Sequence, residues 1–148
     1  PYLSGLHDWV DQHGWSDRVY LPGRVELADL LDFTASADIG VSLIENICES
    51  YYYSLPNKLF EYLQAGIPVV ASSFPEMKRI VTQYGVGVTV DPASPGDLTN
   101  ALRLLIEQPA LYGQMRVNTA EAAQTFNWSH EADKLLVAYA LLGEERAQ

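Results

Sequence analysis

The sequence predicts an α/β fold, a parallel sheet flanked by helices, with residues 1–148 forming a single domain. Three observations predict it. Short apolar runs alternate with segments whose apolar residues recur every three or four positions, so strands exchange with amphipathic helices. The apolar runs are rich in valine and isoleucine, as strands buried on both faces are. Proline and glycine fall at the junctions, where they start and stop helices.

The elements follow in order. Leu3, Leu6 and Val10 lie at helical spacing, and Gly14 closes that helix. Arg18-Val19-Tyr20-Leu21-Pro22-Gly23 reads as a short strand ending in a turn. Leu27, Leu30, Leu31 and Ala35 form a second helical stripe, opened by Glu26 and Asp29 near the positive helix end. Asp38 to Ile44 reads as a strand buried on both faces, and Glu45 to Tyr53 as an irregular loop. Pro56 to Ala65 reads as a helix with Pro56 in its first turn and Leu59, Phe60 and Leu63 on its buried face. Gly66 supplies a left-handed terminal residue, and Pro68 blocks continuation. Val69 to Ser72 is the next strand. Ser73 and Glu76 are spaced as a capping box for a helix running through Val81. Gly85 to Val90 is a fourth strand. Ser94 opens a helix whose core face is Leu98, Ala101, Leu102 and Leu105, and Pro109 ends it. Two more helices carry Leu111, Met115, Ala122 and Phe126, then Leu135, Leu136 and Tyr139; the polar tail from Glu144 to Gln148 is expected to fray.

Composition removes several function classes. Lys and Arg number 9 against 19 Asp and Glu, a net charge of −10, which argues against a general nucleic-acid binder. No apolar run reaches the roughly 18 residues a membrane helix needs. The lone Cys48 cannot form an internal disulfide, which fits a reducing, cytoplasmic compartment. It has no basic neighbour in the sequence to activate it, so we expect it to be inert. His7, His13 and His130 are too scattered for a zinc site, and no metal is expected. The sequence has no signal-peptide pattern. It begins at Pro1 rather than Met, so its natural start is expected to lie elsewhere.

In a parallel α/β sheet, ligands bind beyond the carboxyl ends of the strands. Of the loops there, the one after Ile44 is rich in polar and aromatic residues and runs into a helix start. A helix start offers free N–H groups and partial positive charge to phosphate. Ser54 and Asn57 add neutral donors, and Lys58 adds a full charge. Glu61 lies three residues beyond Lys58 and four beyond Asn57, on one helix face. A carboxylate there would repel phosphate itself but can accept two hydroxyl hydrogen bonds, as from a ribose. The group reads as a nucleotide diphosphate site. Glu61 as a solvated helix residue, or Lys58 in a surface pair with Glu61, is the plainer alternative.

The run Ser54-Leu55-Pro56-Asn57-Lys58-Leu59-Phe60-Glu61-Tyr62-Leu63-Gln64-Ala65-Gly66-Ile67-Pro68-Val69-Val70-Ala71-Ser72 resembles the donor-binding segment of the group 1 glycosyltransferases of GT-B fold. Val19 to Val25, Ala37 to Ser42, Pro75-Glu76 and Gly85-Val86-Gly87 resemble the flanking pieces, so the similarity runs from about Leu3 to Tyr139. The resemblance implies the C-terminal, Rossmann-like half of a GT-B enzyme, binding a nucleotide-diphosphate sugar with no tightly bound cofactor or metal. It implies that Glu61 holds the ribose, that Ser54, Leu55, Pro56, Asn57 and Lys58 meet the diphosphate, and that Gly23, Arg24 and Val25 pack on the base. Transfer to a hydroxyl of a glycan or lipid-linked sugar, with retention of configuration, follows from the resemblance alone. So does the place of catalytic residues, in an N-terminal acceptor domain absent here; peripheral membrane contact would belong to that whole enzyme.

The sequence departs from the pattern at two points, one being that the usual Gly-Phe-Gly stretch is here Ser54-Leu55-Pro56. Many members carry a second Glu eight positions before the ribose-binding one, with seven residues between them, near the transferred sugar; here that position is Tyr53, and Glu49 is the nearest carboxylate before it. The first two strands of the family's donor domain also have no counterpart here. A non-catalytic nucleotide-binding module and a sugar-nucleotide epimerase-like domain are the alternative readings.

Overall fold

Val69–Ser72 is fully buried along its whole length and forms the centre of a parallel sheet. In the computed structural model, which describes residues 2–145, the chain order is α1 (Tyr2–Gln12), α2 (Leu30–Ala35), β1 (Gly40–Ser42), α3 (Glu49–Tyr52), α4 (Asn57–Gln64), β2 (Val69–Ser72), α5 (Pro75–Tyr84), β3 (Gly87–Val90), α6 (Pro95–Glu107), α7 (Pro109–Thr125) and α8 (Trp128–Glu145). The sheet order is β1-β2-β3, all parallel, with Gly40 opposite Val69 and Val69 opposite Gly87. The chain divides into two compact units, one ending at Leu30 and one beginning at Leu31.

In the second unit β2 sorts its side chains by the two-residue period of a strand. Val69 and Ala71 enter a cluster with Leu59 and Leu63 of α4, Met77, Ile80 and Val81 of α5, and Ala122 of α7. Val70 faces the other way, toward Val90, Ala101, Leu105 and Met115. Helices therefore cover both faces, as a parallel sheet requires. Two glycines let the strands and helices close. A Cβ at Gly87 would overlap the backbone carbonyl of Val69, and one at Gly40 would overlap the Tyr62 ring.

Several expectations hold. Gly66 has φ +71 after α4, Ser94 caps α6 by accepting the Asp97 N–H, and Pro109 starts α7 directly after Gln108 ends α6. In the first unit α1 ends as expected at Gly14, φ +67, with Trp15 N–H donating to Val10 O at 3.0 Å.

Others are corrected. The sheet has three strands among the described residues, not four: residues 19–26 carry no regular structure, and Tyr20 is 80% exposed. A strand persists only where a neighbour supplies ladder hydrogen bonds, and this segment pairs with none of the three. The second helix starts at Leu30 rather than near Leu27, which is 85% exposed and lies in a turn. β1 is shorter than expected and covered on one side only, with Gly40 and Ser42 buried and Val41 39% exposed. The 45–53 segment is not wholly irregular, since Glu49–Tyr52 closes one helical turn. Pro56 precedes α4 as its cap residue, φ −74 and ψ 145, instead of opening it. The Ser73–Glu76 capping box does not form. Pro75 takes the first helical position, making Phe74 the cap and shifting the frame by one residue. Glu76 pairs instead with Arg79 at 2.8 Å. Of the polar tail, Glu144 and Glu145 belong to α8, and residues 146–148 lie outside the described residues.

Candidate functional site

The path from β1 through α4 to β2 is a βαβ unit. Parallel strands force α4 to begin at the carboxyl edge of the sheet and end near its amino edge. Leu59 and Leu63 anchor the helix, both completely buried, while Asn57 and Lys58 remain exposed at its start. Tyr62 fixes the helix against β1 by donating its hydroxyl to Val41 O at 3.1 Å. Its pKa is raised, first by burial and then by the Glu61 charge beside it.

The start of α4 is open. Pro56 provides no side-chain cap, and its carbonyl receives the Leu59 N–H at 3.1 Å. Among the described residues, the N–H groups of Asn57 and Lys58 reach no backbone acceptor. Those are the groups a helix presents to an anion. Lys58 forms no ion pair among the described residues, so the surface pair with Glu61 does not form. Ser54 is the exception to the sequence reading: its hydroxyl donates to Tyr51 O at 2.7 Å and so offers lone pairs outward.

In front of this helix start lies a groove of about 450 Å³, bordered by Leu43, Ile44, Ile47, Tyr51, Ser54 and Pro56. Its wall joins the first residues beyond β1 to the lead-in of α4. Of the expected site residues, Ser54 and Pro56 border this groove, while Leu55, Asn57, Lys58 and Glu61 lie on the same segment without lining it. Gly23, Arg24 and Val25 belong to the other unit, where Gly23 has φ +74 and Arg24 is exposed, 4.0 Å from Glu26. Glu49 and Tyr53 border a second cavity, about 420 Å³, together with Asn46, Cys48 and Tyr52.

A third cavity carries residues that sequence reading missed. Glu45 and Asp91 line it, with Asn46, Ile47, Phe74 and Pro92. The available signal was position: Asp91 directly follows β3, and Glu45 stands three residues past β1. Among the described residues no group of His, Cys, Asp and Glu could hold a metal ion, and no helix is long and apolar enough to cross a membrane.

Comparison with known proteins gives one family. The family described as glycosyl transferases group 1 matches residues 1–126. A D-inositol 3-phosphate glycosyltransferase of Stackebrandtia nassauensis is 30% identical over 145 residues, 96% of this chain and 31% of the relative. One from a Nocardioides species is 31% identical over 90 residues, 61% of this chain and 20% of the relative. Among solved structures, sucrose-phosphate synthase from Thermosynechococcus elongatus superposes with a TM-score of 0.78 at 25% identity, over 95% of this chain and 34% of that one. The chain therefore spans about a third or less of the relatives it matches. Its α/β architecture, a parallel sheet flanked by helices, is that of a GT-B glycosyltransferase domain.

Proposed function

Because the chain belongs to the glycosyl transferases group 1 family, we propose that residues 1–148 are the nucleotide-sugar-binding domain of a longer, cytoplasmic glycosyltransferase. The observation that carries this reading is the open start of α4, with unbonded N–H groups and the unpaired Lys58 beside a groove at the carboxyl edge of the sheet. The diphosphate of the donor lies against the Asn57 and Lys58 amides and the Lys58 ammonium. Preorganised dipoles and charge at that point also stabilise the diphosphate as it leaves. Glu61, one turn along, accepts the ribose hydroxyls. Gly23, Arg24 and Val25 meet the base.

The complete enzyme transfers a hexosyl group to a hydroxyl of a glycan or lipid-linked sugar, with retention. The matched relatives, named for glycosyl transfer and for sucrose-phosphate synthesis, support a sugar-transfer role. The acceptor and the catalytic residues belong to the N-terminal domain of the same enzyme, so the present chain binds its donor weakly and does not turn it over. Tyr53 at the position of the second carboxylate favours a second reading, a nucleotide-binding module without catalysis.

Titration of the chain with nucleosides, nucleoside diphosphates and their sugars tests the proposal. Binding that requires the diphosphate is expected. Robust turnover of a nucleotide sugar by this chain alone, or no preference for a diphosphate over a nucleoside, overturns it.

A further inference from the structure

We infer that Ser72 is a positioning residue for the nucleotide: its buried hydroxyl holds the wall of the groove at Ile44 and so sets the affinity of a site it does not touch. The inference rests on the nucleotide-sugar reading above. The strands part unequally at the carboxyl edge. On the β3 side the bonding continues past β2, where Ser73 N–H donates to Val90 O at 2.8 Å. On the β1 side the ladder stops at the pair Ser42 and Ala71. From there one side chain spans the gap. Ile44 N–H donates to Ser72 Oγ at 2.7 Å, and the same hydroxyl donates to Ile44 O at 3.0 Å. Open α/β sheets make room for ligands where the chain diverges beyond the strand ends. The groove before α4 opens at this divergence, with Leu43, Ile44 and Glu45 as its β1 wall.

Ser72 is completely buried and does not border the groove, so its hydroxyl acts on a ligand only through Ile44. A second tie fixes the same wall from the other side. The Tyr62 hydroxyl of α4 donates to Val41 O at 3.1 Å, and the ring lies over Gly40, where a Cβ would overlap it. Residues 40–44 are therefore held at one end by the helix that carries Asn57, Lys58 and Glu61, and at the other end by the central strand. A wall fixed before the ligand arrives loses little conformational freedom on binding. Without the Ser72 hydroxyl both polar groups of Ile44 lose their partner, which they regain from water only as the wall shifts. A hydroxyl that served the fold alone would change stability and leave the affinity of the folded chain untouched.

Calorimetric titration of the whole chain with UDP, ADP and GDP identifies the diphosphate that binds, and that probe is used throughout. Ser72→Ala is expected to weaken it about tenfold, within the range for substitutions outside a ligand's own contacts, with an unchanged circular dichroism spectrum. Asn118→Ala is the control. The Asn118 amide donates to Gly85 O at 2.9 Å, ahead of β3 at the amino edge of the sheet, so this variant loses a side chain–backbone bond away from the groove. Both variants should lower the urea midpoint, and only Ser72→Ala should lower the affinity. Equal affinity in folded Ser72→Ala and the unaltered chain overturns the inference and leaves the diphosphate site standing. Hydrogen exchange in the unaltered chain decides the matter if Ser72→Ala does not fold. By linkage, bound nucleotide holds Ile44 as Ile44 holds the nucleotide. Saturating diphosphate should slow exchange at the Ile44 amide more than at the Val86 amide, which bonds to Val81 O at 3.2 Å. Equal slowing at the two amides overturns the inference. If none of the three diphosphates binds the unaltered chain, the nucleotide-sugar reading fails, and this inference with it.

Discussion

The hydroxyl of Ser72 accepts the Ile44 N–H at 2.7 Å and donates to the Ile44 carbonyl at 3.0 Å. Both polar groups of Ile44 are thus satisfied by one side chain at the point where the β1–β2 ladder, last paired at Ser42 and Ala71, has ended. Ser72 is completely buried, so this contact sets the path by which the chain leaves β1 toward the groove. Ser72→Ala leaves the Ile44 groups without that partner, at a cost of about 1–3 kcal/mol. A lowered midpoint in urea, together with faster hydrogen exchange at the Ile44 amide, is the expected result.

Gly87→Ala should be more damaging than most single substitutions. The added methyl meets the Val69 carbonyl, a backbone group fixed in the central strand. Overpacking costs typically about 1–3 kcal/mol and more where the neighbour cannot move. Gly40→Ala meets the Tyr62 ring instead, which can turn aside only by giving up its bond to Val41 O. Thermal unfolding should therefore rank the two variants, with Gly87→Ala the less stable.

Glu61→Ala and Lys58→Ala separate the two ends of the nucleotide. A hydrogen bond to a charged group contributes roughly 1.5–3 kcal/mol, and about 1.4 kcal/mol is tenfold in affinity. Glu61→Ala should weaken nucleoside and diphosphate alike by about one to two orders of magnitude. Lys58→Ala should weaken diphosphates far more than nucleosides. Unchanged affinity in a folded Glu61→Ala protein would return Glu61 to an ordinary solvated helix position.

Tyr62 gives a pH dependence. Burial and the Glu61 charge raise its pKa above the ordinary value of 10.0. Below pH 10 the phenol is neutral in folded and unfolded chains, so it adds no slope there. Above that value the unfolded chain loses the proton first, and stability falls as pH rises toward the folded pKa. Alkaline unfolding curves should show this loss, and Tyr62→Phe should flatten it.

The α/β architecture was legible in the sequence because it depends on local spacing. Leu59 and Leu63 one turn apart, Gly66 with its positive φ, Pro109 at a helix junction and the buried run of β2 each follow from the residues themselves. The open start of α4 was legible for the same reason, since a helix start carries its unpaired N–H groups wherever it sits. Tertiary structure decided what depends on partners distant in sequence. Arg18 to Gly23 read as a strand and form none, because a strand persists only where it finds a ladder partner. The Ser73–Glu76 capping box is the exception, a local misreading: Pro75 between them takes the first helical position and shifts the frame. Glu45, Phe74 and Asp91 are spread over 47 residues of chain and meet at one cavity only because three parallel strands end at the same edge of the sheet.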